Sequence, residues 1–196
     1  MRDIVILLDN GHGYNTEGKR SPKWADGSQL FEWKNNRRIV SAIANELDKL
    51  GIKYRIIVPE DWDVGLTERA TRANGYARLF GAANTLLLSI HSNAGPKPNT
   101  GTGWEIHTSK GKTKSDGYAE IFLRKAEEIL APEFKIRGHH ESNFTILVKS
   151  VSPAVLTENL FHDNERDCRF LLSEEGLKKI VRLHVEAIKE IVCYES

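Results

Sequence analysis

Four side chains suited to metal binding or proton transfer lie where one predicted element ends and another begins. His12 follows the first apolar run, Glu32 begins the first long helical pattern, and His91 and Glu158 each end a later apolar run. Two neutral imidazoles and one carboxylate form a ligand set that Zn²⁺ accepts in catalytic sites, with a fourth position left for water. We therefore expect His12, Glu32 and His91 to be metal ligands and Glu158 to transfer protons.

Each of these residues also has a purely structural explanation. His12 lies in an Asn-Gly-His-Gly turn, and Glu32 could simply favour a helix N-terminus through the helix dipole. His91 and Glu158 are harder to explain in this way, because a polar side chain beside a buried strand is costly unless it is paired or functional. No short metal motif such as His-Glu-x-x-His is present, so the spacing alone is a weak signal.

The other histidines carry less chemistry. His184 falls on the apolar stripe of the last predicted helix, and we expect it to be a core residue. His139 and His140 lie in a predicted loop, where they could contact a substrate, although solvated loop histidines are more common. The sequence leaves His107 undecided, and it favours a place at the border of the site for His162.

An alternation of strand and helix patterns positions these residues. Short apolar runs predict strands, and apolar residues at helical spacing predict helices. The strands are predicted over residues 4–8, 53–58, 85–91, 104–108, 144–148 and 154–158, the helices over 33–50, 66–80, 116–130 and 173–191, and long loops over 13–30, 92–102 and 132–143. The sequence thus predicts a single three-layer α/β/α domain over residues 1–196, with a mostly parallel mixed sheet. In such sheets ligands bind beyond the carboxyl ends of the strands, so we expect the four residues to converge.

Composition excludes some partners. The 196 residues carry a formal net charge of only +1, which predicts no capture of nucleic acid or of an anionic membrane. The first apolar run is too short for a signal peptide or a membrane span, so we expect a soluble protein without membrane insertion.

An ordered series of motifs runs through nearly the whole chain. These are residues 8–13 (LDNGHG), Glu32 with Asn36, residues 67–74 (TERATRAN), 89–94 (SIHSNA) and 153–161 (PAVLTENLF), then Asn164 and Asp167. Together they resemble the zinc-dependent N-acetylmuramoyl-L-alanine amidases of the family Amidase_3. The resemblance implies a hydrolase that cleaves the amide bond between N-acetylmuramic acid and the L-alanine of peptidoglycan stem peptides.

The resemblance also implies residue roles. His12, Glu32 and His91 match the zinc ligands of the family, and Glu158 matches its catalytic glutamate. Asn36 lies one helical turn after Glu32, where it could orient that ligand, and Asn93 could donate to the substrate. These implied roles agree with the chemical interpretation of the same side chains.

The sequence departs from the family pattern after the first histidine. Residues 14–18 (YNTEG) replace the usual Gly-x-Asp-Pro-Gly turn, and an insert containing Trp24 follows. Trp24 and Trp33 could stack on a sugar or cover the metal, and buried packing is an equal alternative. The insert bears on the shape of the substrate groove and leaves the ligand set intact.

Two other functions remain open at this point. A zinc carboxypeptidase or endopeptidase could use the same ligands, with Arg69, Arg72 or Arg137 holding a terminal carboxylate. A wall-binding module without turnover is the second alternative, and Glu158 argues against it. We expect a monomer that acts on peptidoglycan or muropeptides in the periplasm or outside the cell after release or export. Whether it serves as a phage lysin, an autolysin or a recycling enzyme stays open.

Overall fold

A central sheet of six strands forms the middle layer of the computed structural model, which describes residues 4–131 and 133–194. The strands are β1 (Val5–Asn10), β2 (Tyr54–Ile56), β3 (Thr85–Asn93), β4 (Trp104–Thr108), β5 (Ile136–Glu141) and β6 (Ala154–Phe161). They lie in the order β2-β1-β3-β6-β4-β5. The paired strands are parallel except for β4 with β6, which are antiparallel. The predicted mixed, mostly parallel sheet is confirmed.

Helices cover both faces of this sheet. They are α1 (Glu32–Leu50), α2 (Leu66–Phe80), α3 (Lys114–Leu130), α4 (Thr145–Val148), α5 (Glu165–Leu172) and α6 (Glu174–Tyr194), with a 3₁₀ turn at Ala82–Asn84. Ile6 and Leu8 of β1 pack with α1, α3, α5 and α6, whereas Val5 and Leu7 pack with α2 and α4 on the opposite face. Because successive side chains of a strand point to opposite faces and both faces are covered, the first four residues of β1 are all apolar. The predicted three-layer α/β/α architecture is confirmed.

Three local predictions were wrong. The predicted strand over residues 144–148 is mostly α4, a single helical turn whose residues Ile146 and Leu147 pack in the core beside α2. Strand β5 occupies much of the predicted loop over residues 132–143. Helix α5 had not been predicted, although the Asn164 side chain caps it by accepting from the Asp167 amide.

The site lies on the face of the sheet that α2 and α4 cover. β6 runs parallel to β3 in register, so that Glu158 lies directly opposite His91. The structure extends β6 past its predicted end, and Glu158 is therefore inside the strand. Among the described helices, none has both the length and the apolar character needed to cross a membrane.

Candidate metal centre and active site

His12 projects from the turn that follows β1 in an unusual backbone conformation. Its φ is 67°, in the left-handed region that side chains other than glycine adopt at a cost. Two arginines hold this turn: Arg37 Nη1 and Arg69 Nη2 donate to the His12 carbonyl oxygen at 3.0 and 3.1 Å. The charged donors offset the strain and fix the direction of the imidazole.

Arg69 connects this turn to the sheet beneath it. The side chain is buried, and its Nη1 donates to Asp9 Oδ1 at 2.7 Å, while its Nε donates to the Val64 carbonyl at 2.6 Å. Ser89 of β3 donates to the second Asp9 oxygen at 2.6 Å. A buried ion pair is tolerated when its remaining hydrogen-bonding groups are satisfied, as they are here. The pair joins β1, β3 and the start of α2 directly below His12.

Glu32 and His91 complete a cluster with His12. Glu32 is the first residue of α1 and only 1% exposed. Its Oε2 lies 3.4 Å from His12 Nε2, and its Oε1 lies 3.2 Å from His91 Nδ1. One ligand atom from each of the three residues lies within 4.8 Å of the others. The structure therefore brings together the three residues that the sequence predicted as ligands.

The electrostatics of the cluster follow from this contact. Burial opposes ionisation of Glu32, yet the neighbouring imidazoles of His12 and His91 hold its pKa well below the usual value. Burial also opposes protonation of His91, but the Glu32 carboxylate outweighs it and raises the His91 pKa. The site concentrates negative charge on Glu32 between two imidazoles, which is an arrangement that favours a cation.

The donor set fits a divalent metal ion. Within the described residues, Glu32 Oε2 is a buried oxygen without a hydrogen-bond partner. An orphaned buried carboxylate oxygen is costly, and a coordinated metal ion satisfies it. Two imidazoles with one carboxylate are suited to zinc among the common metals.

Glu158 stands beside the cluster and faces a cavity. Its Oε2 is buried and has no hydrogen-bond partner in the described part of the chain. Burial raises the Glu158 pKa to about 8, although the charge of His91 opposes the rise. A carboxyl group with a pKa near neutrality can both accept and donate a proton, as general acid–base catalysis requires.

The cavity has a volume of about 530 Å³, which suits a small-molecule or peptide substrate. His12, His91 and Glu158 line the cavity together with residues at the start of α2 and in the turn before α4. Leu66 and Phe144 also line the cavity and are exposed, so the cavity combines apolar side chains with the polar cluster.

Asparagines and one histidine support the site indirectly. Asn36 Nδ2 donates to the Gly11 carbonyl at 3.1 Å, so it holds the His12 turn rather than contacting Glu32. Asn93 Nδ2 donates to Glu105 Oε1 at 2.8 Å. The side-chain amide that we expected to donate to a substrate therefore donates to Glu105. His162 does border the site, because its Nδ1 lies 3.8 Å from Glu32 Oε2.

The remaining predicted candidates have structural contacts. The indole N–H of Trp24 donates to the Cys168 sulfur. The ring of Trp33 contacts the ring of Tyr14 and the guanidinium of Arg37. These contacts favour the packing alternative for both tryptophans. His184 is buried against Thr157, as predicted for a core residue.

The sequence matches the N-acetylmuramoyl-L-alanine amidase family Amidase_3 over residues 6–190. The chain belongs to this family. It is therefore an amidase, a hydrolase of an amide bond, and the carboxypeptidase and the inert binding module are disfavoured.

Individual relatives agree with this assignment. The chain is 31% identical to the N-acetylmuramoyl-L-alanine amidase CwlM of Bacillus licheniformis, over 94% of this chain and 67% of that protein. It is also 31% identical to the endolysin of Bacillus phage SPP1, over 96% of this chain and 66% of that protein. Its fold superposes on the N-acetylmuramoyl-L-alanine amidase from Clostridium difficile 630 with a TM-score of 0.88, at 25% identity and complete coverage of both chains.

Proposed function

We propose that this amidase cleaves the bond between the lactyl group of N-acetylmuramic acid and the L-alanine of peptidoglycan stem peptides, with zinc held by His12, Glu32 and His91. The observation that carries the proposal is the cluster itself, whose candidate ligand atoms lie within 4.8 Å of one another beside the Glu158 carboxylate, which has an oxygen without a hydrogen-bond partner among the described residues. Family membership indicates that the bond is an amide, and the cluster offers the ligands of a metal ion that could promote its hydrolysis.

In this mechanism Glu158 is the residue that moves protons. His12, Glu32 and His91 would hold the zinc ion, which would supply Lewis-acid chemistry that polarises an amide carbonyl and acidifies a water molecule. Glu158 accepts the proton of that water on its unpartnered Oε2 and donates it to the alanine nitrogen as the bond breaks. Burial raises the pKa of Glu158, and a cation held beside it would lower that pKa again, so the carboxyl group can both accept and donate the proton. Arg69 and Arg37 act only by fixing the His12 turn.

We extend the proposal to the whole chain as one catalytic domain over residues 1–196 that acts as a monomer. One chain supplies all four side chains of the site, so catalysis requires no partner subunit. The proposed place of action is the peptidoglycan of the cell wall, reached by release or export. The likeness to a phage endolysin and to a bacterial amidase supports either a lytic or a remodelling role.

The test is digestion of purified peptidoglycan by the wild type, by Glu158→Gln and by a chelator-treated sample. We expect new amino termini on alanine, a loss of about 10²–10⁴-fold in turnover for Glu158→Gln, and restoration of the chelated sample by zinc. Glu190→Gln, which changes a partly buried carboxylate of α6 that pairs with Arg124 away from the site, shows whether loss of any such acid has the same effect.

The zinc content of each sample separates two kinds of failure. Glu158→Gln should keep the zinc content of the wild type, because its side chain is outside the ligand set. Cuts within the peptide would instead favour an endopeptidase. Binding of peptidoglycan without new termini would overturn the proposed activity.

A further inference from the structure

A second polar cluster lies next to Glu158 and outside the lining of the catalytic cavity. Glu105 of β4 is directly opposite Glu158 of β6, so the two side chains share a face of the sheet. Glu105 is buried, and it accepts from Asn93 at 2.8 Å and contacts His107 Nε2 at 3.2 Å. Phe144, which lines the cavity, contacts the ring of His107 with centroids 5.0 Å apart. The cluster therefore lies directly against the lining of the catalytic cavity.

An irregularity in β5 adds an arginine to this cluster. The register between β4 and β5 shifts after Trp104, so that Gly138 lies opposite Glu105 with a φ of 99°. In a regular strand residues 137 and 140 would point to opposite faces. With the shift, both Arg137 and His140 approach Glu105, whereas the intervening His139 contacts Thr108 on the other face. Bulges of this kind redirect side chains beside active sites.

Arg137 is held so that one edge of its guanidinium faces outward. Its Nε donates to Glu105 Oε2, and its Cζ lies 5.1 Å from the centroid of the Phe161 ring. Within the described residues, Nη1 and Nη2 of Arg137 have no hydrogen-bond partner, and the side chain is 36% exposed. By contrast, Arg69 is buried in its ion pair, and Arg72 pairs with Glu60 and Glu68.

We propose that Arg137, with His140 beside it, binds a free carboxylate of the stem peptide and so determines which peptidoglycans are cut efficiently. An outward guanidinium edge pairs with a carboxylate through two parallel hydrogen bonds. Glu105 contacts only the edge of the guanidinium that carries Nε, and this contact orients the group. The edge formed by Nη1 and Nη2 is left for the ligand. This inference rests on the proposed function, since it assigns the recognised group to the same substrate.

The separation from the metal cluster indicates which part of the substrate is bound. The guanidinium of Arg137 reaches β4, which is the second strand away from the His91 strand β3 in the sheet. At about 4.8 Å per strand spacing, the guanidinium lies about 10 Å from His91. An extended peptide covers about 3.4 Å per residue, so the guanidinium lies near the second or third stem residue. Peptidoglycan carries a glutamate linked through its side chain at the second position, and its α-carboxyl is either free or amidated. A diamino acid at the third position can carry a further carboxylate.

The test compares two synthetic N-acetylmuramoyl-L-alanyl-D-glutamyl substrates whose γ-carboxyl is capped as a methylamide, one with a free α-carboxylate and one with that carboxylate amidated. For the wild type we expect kcat/KM to be about 10–100-fold higher with the carboxylate, since a charge-assisted pair has about that effect on binding. Arg137→Gln should raise KM for the carboxylate substrate to the level of the amide and leave kcat unchanged. Arg137→Lys should retain part of the preference. Arg182→Gln, at an exposed arginine of α6, should change neither substrate.

A second substrate pair locates the carboxylate along the stem. Tripeptides with an amidated second residue are compared with either diaminopimelate or lysine at the third position. A preference that depends on Arg137 in either pair supports the proposal and identifies which residue carries the group.

Equal losses of Arg137→Gln on charged and uncharged substrates, or no loss on either, would overturn the carboxylate role and leave the amidase activity standing. Failure of the wild type to cut any of these substrates at the lactyl–alanine bond would overturn both proposals.

Discussion

Gly11 lies against the ring of His91, so this position excludes any side chain. A methyl group added at Gly11 would lie 2.1 Å from His91 Cε1 and 2.3 Å from His91 Nε2. The ring, as the end of a side chain, would have to rotate away, and it would then leave the metal cluster. The absence of a Cβ at Gly11 is therefore a requirement of the site rather than of the turn.

We predict that Gly11→Ala weakens zinc binding by about 10–100-fold, the range seen when groups that orient metal ligands are lost. The fold should persist, because only one side chain must move. Zinc titration against a competing chelator measures the effect. Gly65→Ala is the matched control, since it lines the same cavity and an added methyl group there meets nothing within 4 Å. Zinc binding by Gly11→Ala equal to that of Gly65→Ala would contradict this account of His91.

The sequence allowed the reacting side chains to be predicted but not the groups that hold them. His12, Glu32, His91 and Glu158 each lie at a recognisable position relative to a predicted strand or helix, and their types limit the chemistry. Arg69 gave no comparable signal, because its partners Asp9 and the His12 carbonyl lie about sixty residues earlier in the chain. Contacts of this kind depend on the completed fold.

At the scale of elements, the wrong secondary-structure predictions lie at and beside the β5 edge of the sheet. β5 contains Gly138 and two adjacent histidines, a composition typical of loops, and its pairing with β4 along the sheet edge stabilises it as a strand. The misassigned α4 follows at once, in a run rich in β-branched residues whose short helical turn covers the core beside α2. Tertiary packing determined both elements, whereas the long amphipathic helices and buried strands followed their own periodicity.

Helix α6 carries a buried histidine whose titration we expect to affect stability. Burial lowers the pKa of His184 from 6.5 to about 4, although the hydrogen bond between its Nδ1 and the Ile180 carbonyl opposes the decrease. The unfolded chain therefore takes up a proton first as the pH falls. Stability from this group is fully present above pH 6.5 and is lost as the pH falls toward 4.

We predict that the free energy of unfolding decreases by roughly 3 kcal/mol over this interval through His184 alone. Urea unfolding at a series of pH values measures it. His184→Gln cannot take up the proton and should show a correspondingly flatter profile, whatever its stability at neutral pH. Parallel profiles for the two proteins would contradict the assignment.

At the scale of the whole molecule, the metal site ties distant segments together. Its ligands come from the turn after β1, the start of α1 and the end of β3, which the fold alone brings within reach of one another. The unfolded chain lacks this arrangement, so zinc should bind the native state preferentially and stabilise it.

We predict that zinc at about 100 times its dissociation constant raises the free energy of unfolding by about 2.7 kcal/mol. Thermal unfolding of the metal-free protein with and without added zinc measures the shift. Glu32→Ala should abolish it, whereas Glu46→Ala, which removes an outward-facing carboxylate of the same helix, should leave it unchanged. A zinc-induced shift that survives in Glu32→Ala would place the metal elsewhere.

The central claim is that the enzyme hydrolyses the bond between the lactyl group and alanine. We would digest a defined muropeptide in water enriched in the heavy oxygen isotope and locate the label by mass spectrometry of both products. The account predicts label on the lactyl carboxylate of N-acetylmuramic acid and an unlabelled stem peptide that begins with alanine. Label on a carboxylate within the peptide, with the lactyl–alanine bond intact, would contradict it.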